Sequence, residues 1–332
     1  MRKKITLLGV LLLLSIIIYL FTFVASQWEL IMFNLSRPER MNQLFLVFEN
    51  ILNRRFFQVI ALMIVAILVA VTTVSFQTIT GSRILTPAVI GFDSMFVMIQ
   101  TTLVFFFGTI PMLYQHPWIN FIISFILMSG LSILLYMSVL RKNKNNIILL
   151  LLIGMVVTTL ASNYVNLLQV LMNPETFQTV QSLTSVSVVN IDVSLIWIVI
   201  PILAVVLFVL IRKNKVYDVM LLGEDMSKNL GVDYHKETYI NLIMISLAVS
   251  AATALVGPLS FLGLLAVNLS IEMFKEFKHK TLFLASSLLA AIFLIFGQSI
   301  IELIGFKTTV TTLIQLIGGI YIIALIVKEH RI

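Results

Sequence analysis

Apolar residues in this chain come in long blocks separated by short polar, mostly basic, segments. A helix needs about 20 apolar residues to cross the hydrocarbon core. Runs of that kind fall at roughly 5–25, 56–77, 90–113, 118–140, 147–171, 192–211, 237–256, 259–274, 281–304 and 311–327. The run near 259–274 is the weakest, being short and interrupted by Gly257, Pro258 and Gly263. Arg2, Lys3 and Lys4 precede the first run as they would in a secretory signal. Its apolar core of about 20 residues exceeds the roughly 7–15 of a signal, and Val24-Ala25-Ser26 is a poor cleavage site, so it reads as a helix. The pattern predicts an all-α polytopic membrane protein of about ten transmembrane helices, with residues 1–332 forming a single transmembrane domain. No internal repeat is visible.

Composition agrees with the pattern. The chain is 60% hydrophobic and 11% charged, against about 45–50% and about 25% in soluble domains. A globule of 332 residues has too little core to hide that excess, which excludes a soluble enzyme, a disordered chain and a nucleic-acid binder. The net charge of +7 is informative through its distribution. With ten spans and a cytoplasmic N-terminus, 17 of the 22 Lys and Arg residues fall in inside segments. Only Arg37, Arg40, Arg54, Arg55 and Lys307 remain outside. A wrong span count would scramble this asymmetry, so the positive-inside rule supports both count and direction, and it places the C-terminus inside too.

Two segments exceed tight turns. The outer stretch 26–55 mixes polar and apolar residues and is expected to lie along the membrane surface. The inner stretch 212–236 contains Leu222-Gly223-Glu224-Asp225-Met226-Ser227-Lys228-Asn229-Leu230-Gly231. Met226 and Leu230 sit four apart, acidic residues occupy the first turn and Gly231 supplies a stop, which describes a short amphipathic helix between spans six and seven.

Candidate chemistry is sparse. No Gly-x-x-x-x-Gly-Lys-Ser/Thr run exists for ATP, and there is no His-Glu-x-x-His, Gly-x-Ser-x-Gly or paired intramembrane carboxylates. With no Cys and four scattered histidines, neither a metal site nor a cofactor is expected. Polar residues inside spans are therefore the functional candidates. Asn163, Asn166 and Gln169 recur at i, i+3 and i+6 on one face of the fifth span, as a cavity lining or as interhelical hydrogen-bonding groups. Gln77, Thr72 and Thr73 give the second span a weaker polar face. Gln298 and Glu302 read as an i, i+4 pair at a helix end. Asp93, Asp192, Glu272 and Glu302 all stand near span ends, and no histidine is expected to be buried, which weakens a proton-coupled carrier. A channel needs only polar lining.

Three segments carry a resemblance: Leu85-Thr86-Pro87-Ala88-Val89-Ile90-Gly91 following Gln77, the element Leu222–Val232, and Gly257-Pro258-Leu259-Ser260-Phe261-Leu262-Gly263-Leu264. In order, spacing and predicted side, they are similar to signatures of the iron-chelate and vitamin B12 permeases, the membrane subunits of type II ABC importers. The resemblance covers essentially the whole chain. Departures lie at Val267-Asn268, Ser82-Arg83 and Thr308-Thr309-Val310, and they resemble the branch that carries ferric siderophores, often catecholates, through two unlike permease chains. Haem and cobalamin are the alternatives within the family.

The resemblance implies ABC ATPase subunits docking on Leu222, Gly223, Glu224, Asp225, Ser227, Leu230 and Gly231. It also implies a second permease chain and an extracytoplasmic siderophore-binding protein. Asn163, Asn166, Gln169 and Gln77 would line the substrate path. Arg54, Arg55 and Lys307 would meet the binding protein, and Pro87, Gly91, Gly257, Pro258, Phe261 and Gly263 would be motif residues of the scaffold. A stand-alone carrier or channel and a non-transporting scaffold are the readings from other classes.

Overall fold

The computed structural model describes residues 2–26, 32, 41–108, 112–142, 147–186, 191–306 and 308–329. The described residues are helical, with no strand among them. In chain order the helices are α1 (Arg2–Ser26), α2 (Met41–Thr80), α3 (Phe92–Phe107), α4 (Met112–Gln115), α5 (Pro117–Lys142), α6 (Ile147–Leu171) and α7 (Pro174–Thr184). They continue as α8 (Ile196–Arg212), α9 (Asn214–Met220), α10 (Glu224–Asn229), α11 (Tyr234–Val256), α12 (Leu262–Phe274), α13 (His279–Leu303) and α14 (Val310–Glu329). Short 3-10 turns at Pro87–Ile90 and Val193–Leu195 precede α3 and α8.

Seven of these helices, α1, α2, α5, α6, α8, α11 and α13, are long and apolar enough to cross a membrane. Three shorter apolar helices, Phe92–Phe107, Leu262–Phe274 and Val310–Tyr321, stand where the other three expected runs fall. The chain is thus an all-α polytopic membrane protein.

Within the stretch 26–55, residues 41–55 continue α2 as helix, whose 40 residues rise about 60 Å, about twice the hydrocarbon thickness; most of 27–40 lies outside the described residues. Phe23 near the end of α1 meets Phe48 edge to face, with ring centroids 5.2 Å apart, so the extension is packed against its neighbour.

The main core gathers around α2, α11, α12 and α13. Leu62, Val65, Ala66 and Leu68 of α2 have no exposure, nor do Ala285, Leu294 and Ile295 of α13. Small residues allow close approach where lipid supplies no hydrophobic drive between helices. A Cβ at Gly263 of α12 would overlap Thr73 Oγ1 and come within 2.9 Å of Thr73 Cβ. A Cβ at Gly154 of α6 would stand 2.8 Å from Ile90 Cα.

Candidate functional site

The loop between α8 and α11 folds into a compact pair of short helices, α9 and α10. Gly223 links them at φ +91°. The buried Ser227 hydroxyl reaches the carbonyls of Val219 (3.0 Å) and Gly223 (2.6 Å), tying one helix to the other. Gly231 ends α10 at φ +82°. Its N–H donates to Lys228 O and that of Val232 to Ser227 O, each at 3.0 Å. This pairing satisfies the last carbonyls and requires a left-handed residue where only glycine is unstrained. Glu224 holds Lys228 at 2.6 Å and faces His235 at 3.4 Å, while Asp225 is exposed in the favourable first turn. Leu222, Met226 and Leu230 are 56–60% exposed. Together they make an exposed apolar knob rimmed by charge.

On α6, Leu150, Gly154, Ala161, Val165 and Leu168 form the buried stripe. Asn163 and Asn166 fall on the opposite face and are exposed, and Gln169 is half-buried. The same face carries Leu160 and Leu167, both above 60% exposed. Asn163 and Asn166 therefore stand on a face that this chain does not itself cover, with Gln169 at its edge. Gln77 lies elsewhere. Its amide nitrogen donates to Arg83 O at 2.7 Å, in the wall of an open cavity of about 620 Å³ beside α9. Asn268 donates to the same carbonyl at 2.9 Å.

The motif residues hold the broken segments together. Pro87 begins the 3-10 turn and is buried, and Gly91 ends it at φ +98°. A Cβ at Gly91 would come 2.7 Å from Thr158 Oγ1 of α6. Gly257 ends α11, with its N–H on Thr253 O at 2.8 Å, and Pro258 follows in the break. Phe261 abuts Gly318 of α14, where a Cβ would be 3.0 Å from the phenylalanine Cβ. Between the two breaks Ser260 donates to Asp93. They line a cavity of about 30 Å³ with Thr72, Thr73, Thr86 and Thr253.

Three expectations are corrected. Arg55 is not presented for docking, since its guanidinium is ion-paired with Glu302 of α13. It also donates to Tyr19 O at 2.5 Å and lies 5.1 and 5.0 Å from the Tyr19 and Phe23 ring centroids. The side chains of Arg55 and Glu302 are only 11% and 5% exposed, because three helices converge there. Glu302 accordingly pairs with Arg55 and not with Gln298. The third correction is His279, which is fully buried, with Asp218 of α9 and Thr78 of α2 on its two ring nitrogens. The basic run Lys278-His279-Lys280 hides that role in the sequence. Arg54 is exposed, and Lys307 lies outside the described residues.

Sequence reading also missed α7. Asn173 caps it through a 2.8 Å bond from Thr176 N, and Pro174 and Glu175 occupy its first turn. Asn-Pro-Glu ahead of an amphipathic stretch is the available signal.

The family model described as the FecCD transport family matches residues 7–328. The petrobactin import system permease protein YclO of Bacillus subtilis (strain 168) is 41% identical over 84% of this chain and 89% of its own length. The petrobactin import system permease protein FatC of Bacillus anthracis is 28% identical over 86% of this chain and 81% of its own length. A solved structure described as an inward-facing conformation of a metal-chelate type ABC transporter superposes with a TM-score of 0.80, covering 98% of this chain and 99% of that one at 19% identity. With the family model spanning nearly all of the sequence, the chain belongs to the FecCD transport family.

Proposed function

We propose that this chain is the membrane permease subunit of an ABC importer that brings a ferric siderophore into the cytoplasm. The similarity to a petrobactin import permease over 84% of this chain carries the reading, and it makes ferric petrobactin the first substrate to test. The exposed Leu222–Met226–Leu230 knob is the docking surface for an ATPase subunit, with Gly223, Glu224, Asp225, Ser227 and Gly231 shaping it. That assignment puts the α9–α10 face, and with it both termini, on the cytoplasmic side. ATP hydrolysis belongs to the ATPase, because this sequence has no phosphate-binding loop.

The exposed amides of α6 face a path shared with a second permease chain, one unlike this chain. A ferric chelate is large and polar, so neutral amides that bind it weakly suit passage better than fixed charge. An extracytoplasmic siderophore-binding protein delivers the chelate to the opposite face, where Arg54 and Lys307 are the docking cations.

Uptake of radiolabelled ferric petrobactin into proteoliposomes holding this chain, its partner permease and the ATPase tests the proposal. Accumulation should require both ATP and the binding protein. ATP-independent accumulation by this chain alone would replace the importer with a stand-alone carrier.

A further inference from the structure

His279 opens α13 and has no exposed surface. Its backbone N–H donates to Asp218 Oδ1 at 2.8 Å, and its Nδ1 lies 2.7 Å from the same oxygen. An ionised carboxylate only accepts, so Nδ1 carries a proton. Nε2 lies 2.7 Å from Thr78 Oγ1 of α2, and the rings of Tyr217 and Phe283 flank the imidazole at 5.7 Å each. The Asp218 carboxylate thus caps α13, where the first N–H groups lack helical partners and the dipole favours negative charge. One side chain on α9 is thereby bonded to the starting turn of α13, and through the imidazole to the end of α2.

The other end of α13 is joined to α2 as well. Arg55 of α2 pairs with Glu302 of α13. Thr78 stands 23 residues after Arg55, and Glu302 stands 23 residues after His279. Each interval is about 35 Å of helix rise. Helix α13 is therefore pinned to α2 at both of its ends, antiparallel and over equal lengths, with a tightly packed core between them. Such a pair moves as one rod, and Asp218 is its attachment to the helix pair of the coupling loop.

We propose that Asp218, His279 and Thr78 form a positioning relay that passes displacement of the α9–α10 pair to the α2–α13 rod, and so across the membrane. The inference rests on the importer reading above. It is motivated by the junction, where directed hydrogen bonds join three packed elements.

The test uses the complete transporter in proteoliposomes, with uptake of radiolabelled ferric petrobactin and ATP hydrolysis read on the same vesicles. His279→Asn keeps a donor near the Nδ1 position but gives up Thr78, and His279→Gln keeps a group near Nε2 but gives up Asp218. The relay predicts that each variant lowers chelate imported per ATP at least fivefold while hydrolysis stays within twofold of the unaltered complex. A wild-type ratio in His279→Asn would reduce the residue to a helix cap and overturn the relay. A parallel fall of uptake and hydrolysis in both variants would make the role structural and overturn it too. Should the buried substitutions prevent assembly, Asp218→Ala at a half-exposed carboxylate is read for the same ratio, and an unchanged ratio again overturns the proposal. Failure of the importer reading shows differently, as an unaltered complex without ATP-dependent uptake.

Discussion

Helices α2 and α6 are both of membrane-spanning length and strongly apolar. Yet 78% of the apolar stretch of the first is buried inside the chain and only 17% of that of the second. Their polar side chains explain what the difference means. On α2, Thr72 and Thr73 return their hydroxyls to carbonyls four residues back, each at 2.7 Å, and Gln77 finds the Arg83 carbonyl. On α6, Thr158 makes the same return bond at 2.9 Å, but Asn163 and Asn166 stand on the uncovered face. Lipid cannot satisfy an amide, so the outer face of α6 calls for water or another protein. Hydropathy finds both helices; only burial tells the covered helix from the uncovered one.

The comparison breaks first at the ion pair. Arg55→Ala should leave Glu302 buried and unpaired and cost about 3 kcal/mol or more, as for other buried pairs broken on one side. Arg55→Met with Glu302→Leu should recover most of the loss in thermal unfolding of the detergent-solubilised chain. Equal stability of Arg55→Ala and Arg54→Ala would show that Arg55 is no clamp. Next comes a matched pair of truncations. Leu68→Ala, at a position of α2 with no exposure, should destabilise the isolated chain by about 2–5 kcal/mol. Leu160→Ala, at a 64% exposed position of α6, should stay within about 0.5 kcal/mol. A third substitution concerns coupling. Gly231→Val forces a β-branched residue to φ +82° at a cost of about 1–2 kcal/mol, which should depress uptake while membrane insertion stays normal. The smallest effect belongs to Arg54→Glu, which should slow binding-protein docking several-fold at low ionic strength and have little effect at high salt. A salt-independent rate would make Arg54 a lipid anchor.

Much of this was legible in the sequence because membrane spans are written locally, in runs of apolar residues closed by basic loops. Residues 147–171 and the end of α11 at Val256 fall where the pattern puts them. Helix α10 was legible for the same reason, since Gly223, Gly231 and the residues between them carry their own stop and start signals, whereas α9 was not read as a helix. What escaped was long-range. Arg55 and Glu302 are 247 positions apart and His279 and Asp218 are 61 apart, and no spacing rule joins such residues. An arginine at a helix end looks the same in sequence whether it reaches outward to a partner or inward to a carboxylate. The extension of α2 through 41–55 escaped because its Asn, Glu and Arg residues dilute the apolar signal, although tertiary contacts such as Phe23–Phe48 hold the helix.

The face of α6 decides the account. The chain has no cysteine of its own, so Asn163→Cys and Asn166→Cys in the assembled transporter can be probed one at a time with a membrane-impermeant thiol reagent, against Leu168→Cys on the buried stripe. The account predicts that both asparagine positions react in at least one nucleotide state while Leu168→Cys stays protected. Reaction of all three only with a lipid-soluble reagent would place the amides in lipid and contradict a shared translocation path.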